Sequence, residues 1–328
     1  MAFIGTDTAS VNFDQQIQTM INLRLEELLR APKPHLLPDS FVKATHVSGS
    51  NGTMRFLNFP DVVVDDAEVA ASLVVTEGVP NAADEFAFGF EEFTTRQRMK
   101  TFPFSDVALL ESPLALLAEG SDRLAEYVMN LLDKIAANKI LGGTNAIYGG
   151  TATSTITLAA GDDLTGVLIK ESAARLGAAN VPTFSGNAYR AVIHPFTKFD
   201  VQTDVVDGGW IDASRYAGSG QLFSGEIGTY AGVRFIESSN AAIKAAGGAS
   251  SEDVYSTVVY GPRFFALGDF GNNETFVTAP GGHSDPGHQS TLITWKGWAD
   301  AMIIGEGDSA SAVSGPRYIR IETTASLG

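Results

Sequence analysis

The sequence contains no cysteine. Disulfides, thiolate nucleophiles, iron–sulfur clusters and cysteine-based zinc sites are therefore excluded. Basic residues are scarce: 22 Lys and Arg stand against 38 Asp and Glu, a net charge of −16 at pH 7. Such a chain offers no broad electrostatic grip on nucleic acid or anionic lipid, which need clustered cations. No apolar run approaches the roughly 18–20 residues of a membrane span. The opening Ala2-Phe3-Ile4-Gly5-Thr6-Asp7 has neither a basic start nor an apolar segment. Neither export nor membrane insertion is expected. What is present is ordinary globular material, 44% apolar and 18% charged. The 328 residues exceed the roughly 250–300 that one core usually serves, so more than one packing unit is expected.

Three kinds of territory follow along the chain. From Asp14 to Arg30, the residues Ile17, Met20, Ile21, Leu25, Leu28 and Leu29 recur at helical spacing, and Pro32, Pro34 and Pro38 then force an extended path. This helix has little neighbouring chain on which to bury its stripe; it packs either on its own domain or on a neighbouring subunit. Residues 53–105 read as long strands. Phe86-Ala87-Phe88-Gly89-Phe90 alternates with period two, Glu77 to Asp84 is turn-rich, and a projecting hairpin fits. Arg96, Arg98 and Lys100 would share one strand face, either solvated or docking on acidic patches of an identical neighbour.

The third territory is mixed. Ser112-Pro113 is a good helix entry. Leu117, Leu124, Val128, Leu131 and Ile135 continue at helical spacing, and Gly142-Gly143 is expected to be a left-handed stop, with a kink at Gly120. A second helix is expected from about Asp163 to Leu176, burying Leu164, Val167, Leu168 and Leu176. Strands are expected at Tyr189 to His194, Gly232 to Ile236, Tyr255 to Tyr260, Leu292 to Ile304 and Arg317 to Glu322. Helices and strands intersperse without regular βαβ alternation and without a repeat, so the class is α+β.

Catalytic constellations are thin. The sequence has no G-x-x-x-x-G-K-[ST] loop, no G-x-S-x-G elbow and no H-E-x-x-H. His283, Asp285 and His288 could supply a metal site, but the segment is loop chemistry and reads better as a polar surface loop. His194 reads as a hydrogen-bonded structural histidine rather than a reactive one. In the pairs Asp65-Asp66 and Asp162-Asp163, adjacent carboxylates point apart on a strand and at a helix start mainly favour the dipole; Asp162 or Asp163 reads as an amino-terminal helix cap, with a cation site as the alternative. No catalytic, cofactor-binding or metal residue is assigned, and no cofactor is expected.

Several segments together resemble the major capsid proteins of tailed bacteriophages, in particular the branch typified by the coliphage N-four. The strongest is Gly225-Glu226-Ile227-Gly228-Thr229-Tyr230-Ala231-Gly232-Val233-Arg234-Phe235-Ile236-Glu237. Trp210 to Ala217 and Val192 to Pro195 precede it, Leu141 to Tyr148 follows the long helix, and Asp285 to Gln289 and Thr294-Trp295-Lys296 come late. The resemblance implies the Hong Kong 97-type capsid fold. Residues 1–52 would be an N-terminal arm, 53–105 an extended hairpin loop and 106–160 a peripheral domain with a spine helix. Residues 161–255 would be the axial domain, and 256–328 would return to the peripheral domain.

The resemblance further implies a non-enzymatic shell protein that self-assembles as hexameric and pentameric capsomers into an icosahedral head around double-stranded DNA. The virion would be its place, after assembly in the host bacterial cytoplasm. A portal and scaffolding or decoration proteins are the other implied partners, with non-specific contact to DNA and no membrane. Cross-linking through Lys–Asn pairs, for which Lys244, Lys296 and Asn145 are the nearest material, is not expected, nor is a fused maturation protease or a delta segment. The alternatives are another self-assembling structural protein, such as a surface-layer or tail-tube subunit, and a hydrolase with a dispersed carboxylate site.

Overall fold

The structure, a computed structural model, describes residues 39–47, 52–58, 89–111, 116–203, 226–269, 274–278, 287, 289–306 and 316–327. The arm helix, the hairpin beyond its base, Asp65-Asp66, Trp210 to Ala217 and the His283–Asp285–His288 group lie outside these residues. The strands are β1 Phe41–Lys43, β2 Thr45–His46, β3 Thr53–Asn58, β4 Gly89–Thr94, β5 Gln97–Ser105, β6 Ala146–Tyr148, β7 Tyr189–Ile193 and β8 Glu226–Tyr230. They continue as β9 Val233–Glu237, β10 Ile243–Lys244, β11 Val254–Tyr260, β12 Phe265–Asp269, β13 Glu274–Thr278, β14 Ser290–Ile303 and β15 Tyr318–Thr323. The helices are α1 Asp106–Glu111, α2 Leu116–Leu141, α3 Gly166–Ala178 and α4 Pro195–Thr203.

A mixed sheet of seven strands, in the order β6-β15-β11-β7-β9-β8 with β10 also paired to β11, forms the larger layer. Its central strand β11 reads Val-Tyr-Ser-Thr-Val-Val-Tyr and is buried at every position. A run of β-branched and aromatic residues suits a strand covered on both faces. Alternate residues therefore feed two cores. Val259, Ala191 and Ile193 pack with Ile169 and Leu176 of α3 and Val201 of α4. Val258, Tyr260 and Val192 pack instead with Ile135, Ala136 and Ile140 of α2 and with Phe265 and Ile303.

The second sheet has the order β1-β12-β14-β13, with β5 paired to β14. Along β14, exposure alternates through the first half and then ceases. The first half has one covered face; the second half runs into the body between the two sheets. On the covered face, Ile293 and Trp295 meet Leu124, Ala125 and Val128 of α2, all 0–1% exposed. Burying such a side chain fully is worth about 1.5–3 kcal/mol, so this row anchors α2 to the sheet. A third, small antiparallel sheet, β2-β3-β4, packs Met54, Phe56 and Phe93 onto Ala266, Met302 and Ile304.

Local details depart from the sequence expectations. A short helix, α1, precedes the expected entry; the Ser105 hydroxyl caps it by accepting the Ala108 N–H at 3.2 Å. Helix α2 runs unbroken through Gly120, whose role is close approach: a Cβ there would lie 2.3 Å from the Phe104 ring. Neither Gly142 nor Gly143 has a positive φ, so the helix does not end in a left-handed residue. It closes through i→i−3 bonds to Lys139 and Ile140, and Gly143 is needed because a Cβ would lie 2.0 Å from the Tyr318 hydroxyl. Helix α3 starts at Gly166 after Thr165, not at Asp163. Val167 is 58% exposed, and Ile169 fills the core position in its place.

Candidate functional site

The basic row of β5 is not the free stripe its alternation suggests. Arg96 lies in the loop before the strand and is exposed. Arg98 donates through Nε to the Ala299 carbonyl at 3.2 Å. Lys100 Nζ lies 5.0 Å from the Tyr127 ring of α2 and 5.6 Å from Phe102. The period of two is right, but Arg98 and Lys100 are occupied by the body of the subunit.

His194 caps α4. Its Nδ1 accepts the Phe196 N–H at 3.2 Å, its carbonyl accepts the Lys198 N–H at 2.9 Å, and Pro195 opens the helix. The ring meets Phe196 edge to face and Tyr255 at a tilt, and burial lowers its pKa against the opposing pull of Glu237. Neither Asp162 nor Asp163 caps α3, which starts after Thr165; the pair instead closes a turn and holds the C-terminal segment. Asp162 accepts the Ala159 N–H at 2.9 Å, while Asp163 accepts the Thr324 hydroxyl at 3.3 Å. The nearby Asp200 accepts both the amide and the hydroxyl of Ser326. Burial, then the charge of Asp200, pushes the Asp163 carboxyl up.

Two of the three residues weighed for cross-linking are engaged otherwise. Asn145 Nδ2 donates to the Tyr318 carbonyl at 2.7 Å, and Lys244 Nζ pairs with Glu322 at 2.9 Å. Lys296 stands opposite Met99 and Glu274 in the strand register. Among the described residues, no three His, Asp or Glu side chains gather to hold a metal ion. A cavity of about 190 Å³ lies beside the end of α2, between Phe93, Met302, Lys139 and Glu306. Both its charged groups are committed. Lys139 faces Asp300 at 3.6 Å, and Glu306 accepts the Tyr318 hydroxyl at 2.7 Å and the Thr144 hydroxyl at 2.7 Å. Burial, with this bond to Glu306, raises the Tyr318 pKa, so the phenol remains a donor.

Two joints escaped the sequence. In the first, Arg320, 4% exposed, donates Nη1 to the Ile140 carbonyl at 3.0 Å and to that of Leu141, covering the negative end of α2. Its Nε lies 2.9 Å from Glu322, which also receives Thr155 at 2.5 Å. In the second, the inward row of β4 meets the body. The carboxylate of Glu91, 0% exposed, accepts the Gly305 N–H at 3.0 Å. Phe93 and Thr95 lie against Gly268, and within the small sheet the Thr95 hydroxyl donates to the Gly52 carbonyl at 2.9 Å.

The described part of the strongest recognisable segment falls at a structurally specific place. Tyr230-Ala231-Gly232-Val233 turns β8 into β9 with φ of 50° and 77° at its two central residues, the pairing of positive values that a tight hairpin turn needs. The model of a family described as phage capsid protein matches residues 90–313, more than half of the chain. The chain belongs to the phage capsid protein family. The match begins in β4 and takes in both large sheets except β1 and β15.

Solved capsids share the fold. The capsid of Ralstonia phage GP4 matches over 87% of this chain and 87% of its own, with a TM-score of 0.65 at 17% identity. The head structure of Helicobacter pylori bacteriophage KHP40 matches over 85% of this chain and 86% of its own, with a TM-score of 0.59 at 10% identity. The capsid of cyanophage P-SCSP1u covers 88% of this chain and 87% of its own, with a TM-score of 0.57 at 14% identity. A comparison with curated proteins returns no match. The architecture is thus the α+β, Hong Kong 97-type capsid fold that the sequence led us to expect.

Proposed function

We propose that this phage capsid family member is the major capsid protein of a tailed bacteriophage, assembling with copies of itself into an icosahedral head around double-stranded DNA. The observation that carries the reading is the family match over residues 90–313. The likeness of fold across 87% of the chain to a phage capsid supports it. Placement in the N-four-like branch rests on the ordered sequence segments. Copies form hexamers and pentamers through heterologous contacts, with a portal and scaffolding or decoration proteins as further partners. Assembly takes place in the host bacterial cytoplasm, the product is the virion shell, and no enzymatic step or cofactor is assigned.

The same reading divides the chain by task. Residues 1–52 form the arm, 53–105 the hairpin loop, 106–160 with 256–328 the peripheral domain, and 161–255 the axial domain. The packing of α2 on β14 supports joining the third part to the last, although β15 itself threads into the larger sheet. The net charge of −16 makes a wall that touches DNA without gripping it, because like charges repel across the short screened range. Electron microscopy of the purified protein under assembly conditions is the test. Closed, hollow shells of regular size are expected. Only monomers or dimers would refute the reading, and open sheets or tubes would favour a surface-layer or tail-tube subunit.

A further inference from the structure

The small sheet β2-β3-β4 is tied to the body at two places. Ala44 leads from β1 into β2, its N–H bonded to the Leu267 carbonyl at 3.0 Å, and Thr95-Arg96 leads from β4 into β5. Two such short tethers would allow the sheet to tilt, because a change at a few element-terminal residues suffices to swing a rigid unit. The inward row of β4 opposes that tilt. Glu91, Phe93 and Thr95 are successive inward residues, 0%, 7% and 2% exposed. Glu91 meets Gly305 after β14, and Phe93 and Thr95 both meet Gly268 in β12, while the Thr95 hydroxyl is held by the Gly52 carbonyl before β3, within the small sheet.

The glycines are required by geometry. A Cβ on Gly268 would lie 2.8 Å from the Phe93 ring and 2.8 Å from Thr95 Cγ2. Gly52 and Gly305 have φ of 77° and 89°, where other residues are strained. The contacts of Phe93 and Thr95 with Gly268 are apolar fits. The Glu91–Gly305 contact is a directional hydrogen bond, which fixes an angle as well as a separation.

We infer that Glu91, seated on Gly305, and Phe93 and Thr95, seated on Gly268, form a clasp that sets the angle of the small sheet on the body. Because β3 and β4 are the two legs of the 53–105 hairpin, the clasp also sets the direction in which that hairpin leaves the subunit, and through it the curvature at which copies join. The inference rests on the capsid reading above. Its content is which residues set the angle.

The test uses the full chain. Gly268→Ala wedges the clasp, Glu91→Ala removes its carboxylate, and Ile169→Val loosens the core under α3 as a control for general destabilisation. Hydrogen exchange reads the clasp, and electron microscopy of assembled particles reads the curvature. In Gly268→Ala and Glu91→Ala, amides of β3 and β4 should exchange about tenfold faster or more, and shell diameters should shift or broaden. Ile169→Val should leave diameters unchanged, and Glu91→Gln, which keeps an acceptor for the Gly305 N–H, should keep the wild-type distribution. If Gly268→Ala does not fold, Glu91→Ala decides. Unchanged exchange, wild-type diameters despite faster exchange, or an equal shift in Ile169→Val would each overturn the clasp. A wild-type protein that forms no shells at all would instead overturn the capsid reading.

Discussion

Replacing Arg320 by methionine keeps the bulk of the side chain and removes its charge at a point where three elements meet. The guanidinium holds the Ile140 and Leu141 carbonyls at the end of α2 and stands 2.9 Å from Glu322. Its Nε–H is not aligned for a hydrogen bond along that last contact, which is therefore an ion pair first. Glu322 is 0% exposed and keeps Lys244 and Thr155 as partners. Removing one member of a buried pair typically costs about 3–5 kcal/mol, and a bond from a charged donor about 1.5–3 kcal/mol. These losses overlap, and the surviving Lys244 contact offsets part of them, so about 3–4 kcal/mol is expected for Arg320→Met. Urea titration of the unassembled subunit reads it as a lower midpoint at unchanged slope. Arg320→Met/Glu322→Met should cost less than the two single changes added, since neither charge is then stranded. A loss under about 1 kcal/mol, or a double variant worse than the sum, would refute the account.

Other predictions follow from single residues. The folded Asp163 binds its proton more tightly than the unfolded chain does, so its ionised form costs stability at neutral pH. Asp163→Asn should raise the urea midpoint at pH 7, with the gain fading as the pH falls towards about 4. His194 shifts the other way: its folded pKa is lowered, so its favourable share is present above about pH 6.5 and lost as the pH falls below that value. His194→Gln should flatten that acid limb in titrations between pH 7 and 5. Gly143→Ala would drive a Cβ into the Tyr318 hydroxyl and should destabilise severely, whereas Gly177→Ala meets nothing within 4 Å. The latter should stabilise α3 by about 0.5–1 kcal/mol, read as a higher denaturation midpoint.

The long helix and several strands of the two large sheets were legible because their signals are local. Leu124, Val128, Leu131 and Ile135 keep helical spacing, and Val254 to Tyr260 is an unbroken β-prone run. Features that depend on distant partners were not legible. Arg98 and Lys100 do share a face, but nothing within β5 says that α2 and Ala299 lie over it. Gly120 and Gly143 resemble a kink and a stop until Phe104 and Tyr318 are brought against them. Glu91 sits in Phe90-Glu91-Glu92-Phe93, where two adjacent acids look equally solvated. Glu92 does pair with Arg55 in a half-exposed bridge, while Glu91 turns inward to Gly305.

The joints between elements share one chemistry. Apolar burial holds the sheets and helices together but is non-directional, so it fixes contact more firmly than angle. Where separate units must meet at a set angle, the chain buries one charged group against backbone. Arg320 does this at the end of α2, Glu91 at the small sheet, and Asp200 at the C-terminal segment. Each desolvated charge costs stability unless its partners are in place, so the native angle is favoured over its neighbours by the very groups that make the fold more expensive. A cysteine-free subunit has no disulfide with which to hold such angles. In a shell built from many copies, a small error in angle is repeated at every contact, and buried charges seated on main-chain groups are the directional contacts through which this sequence can limit that error.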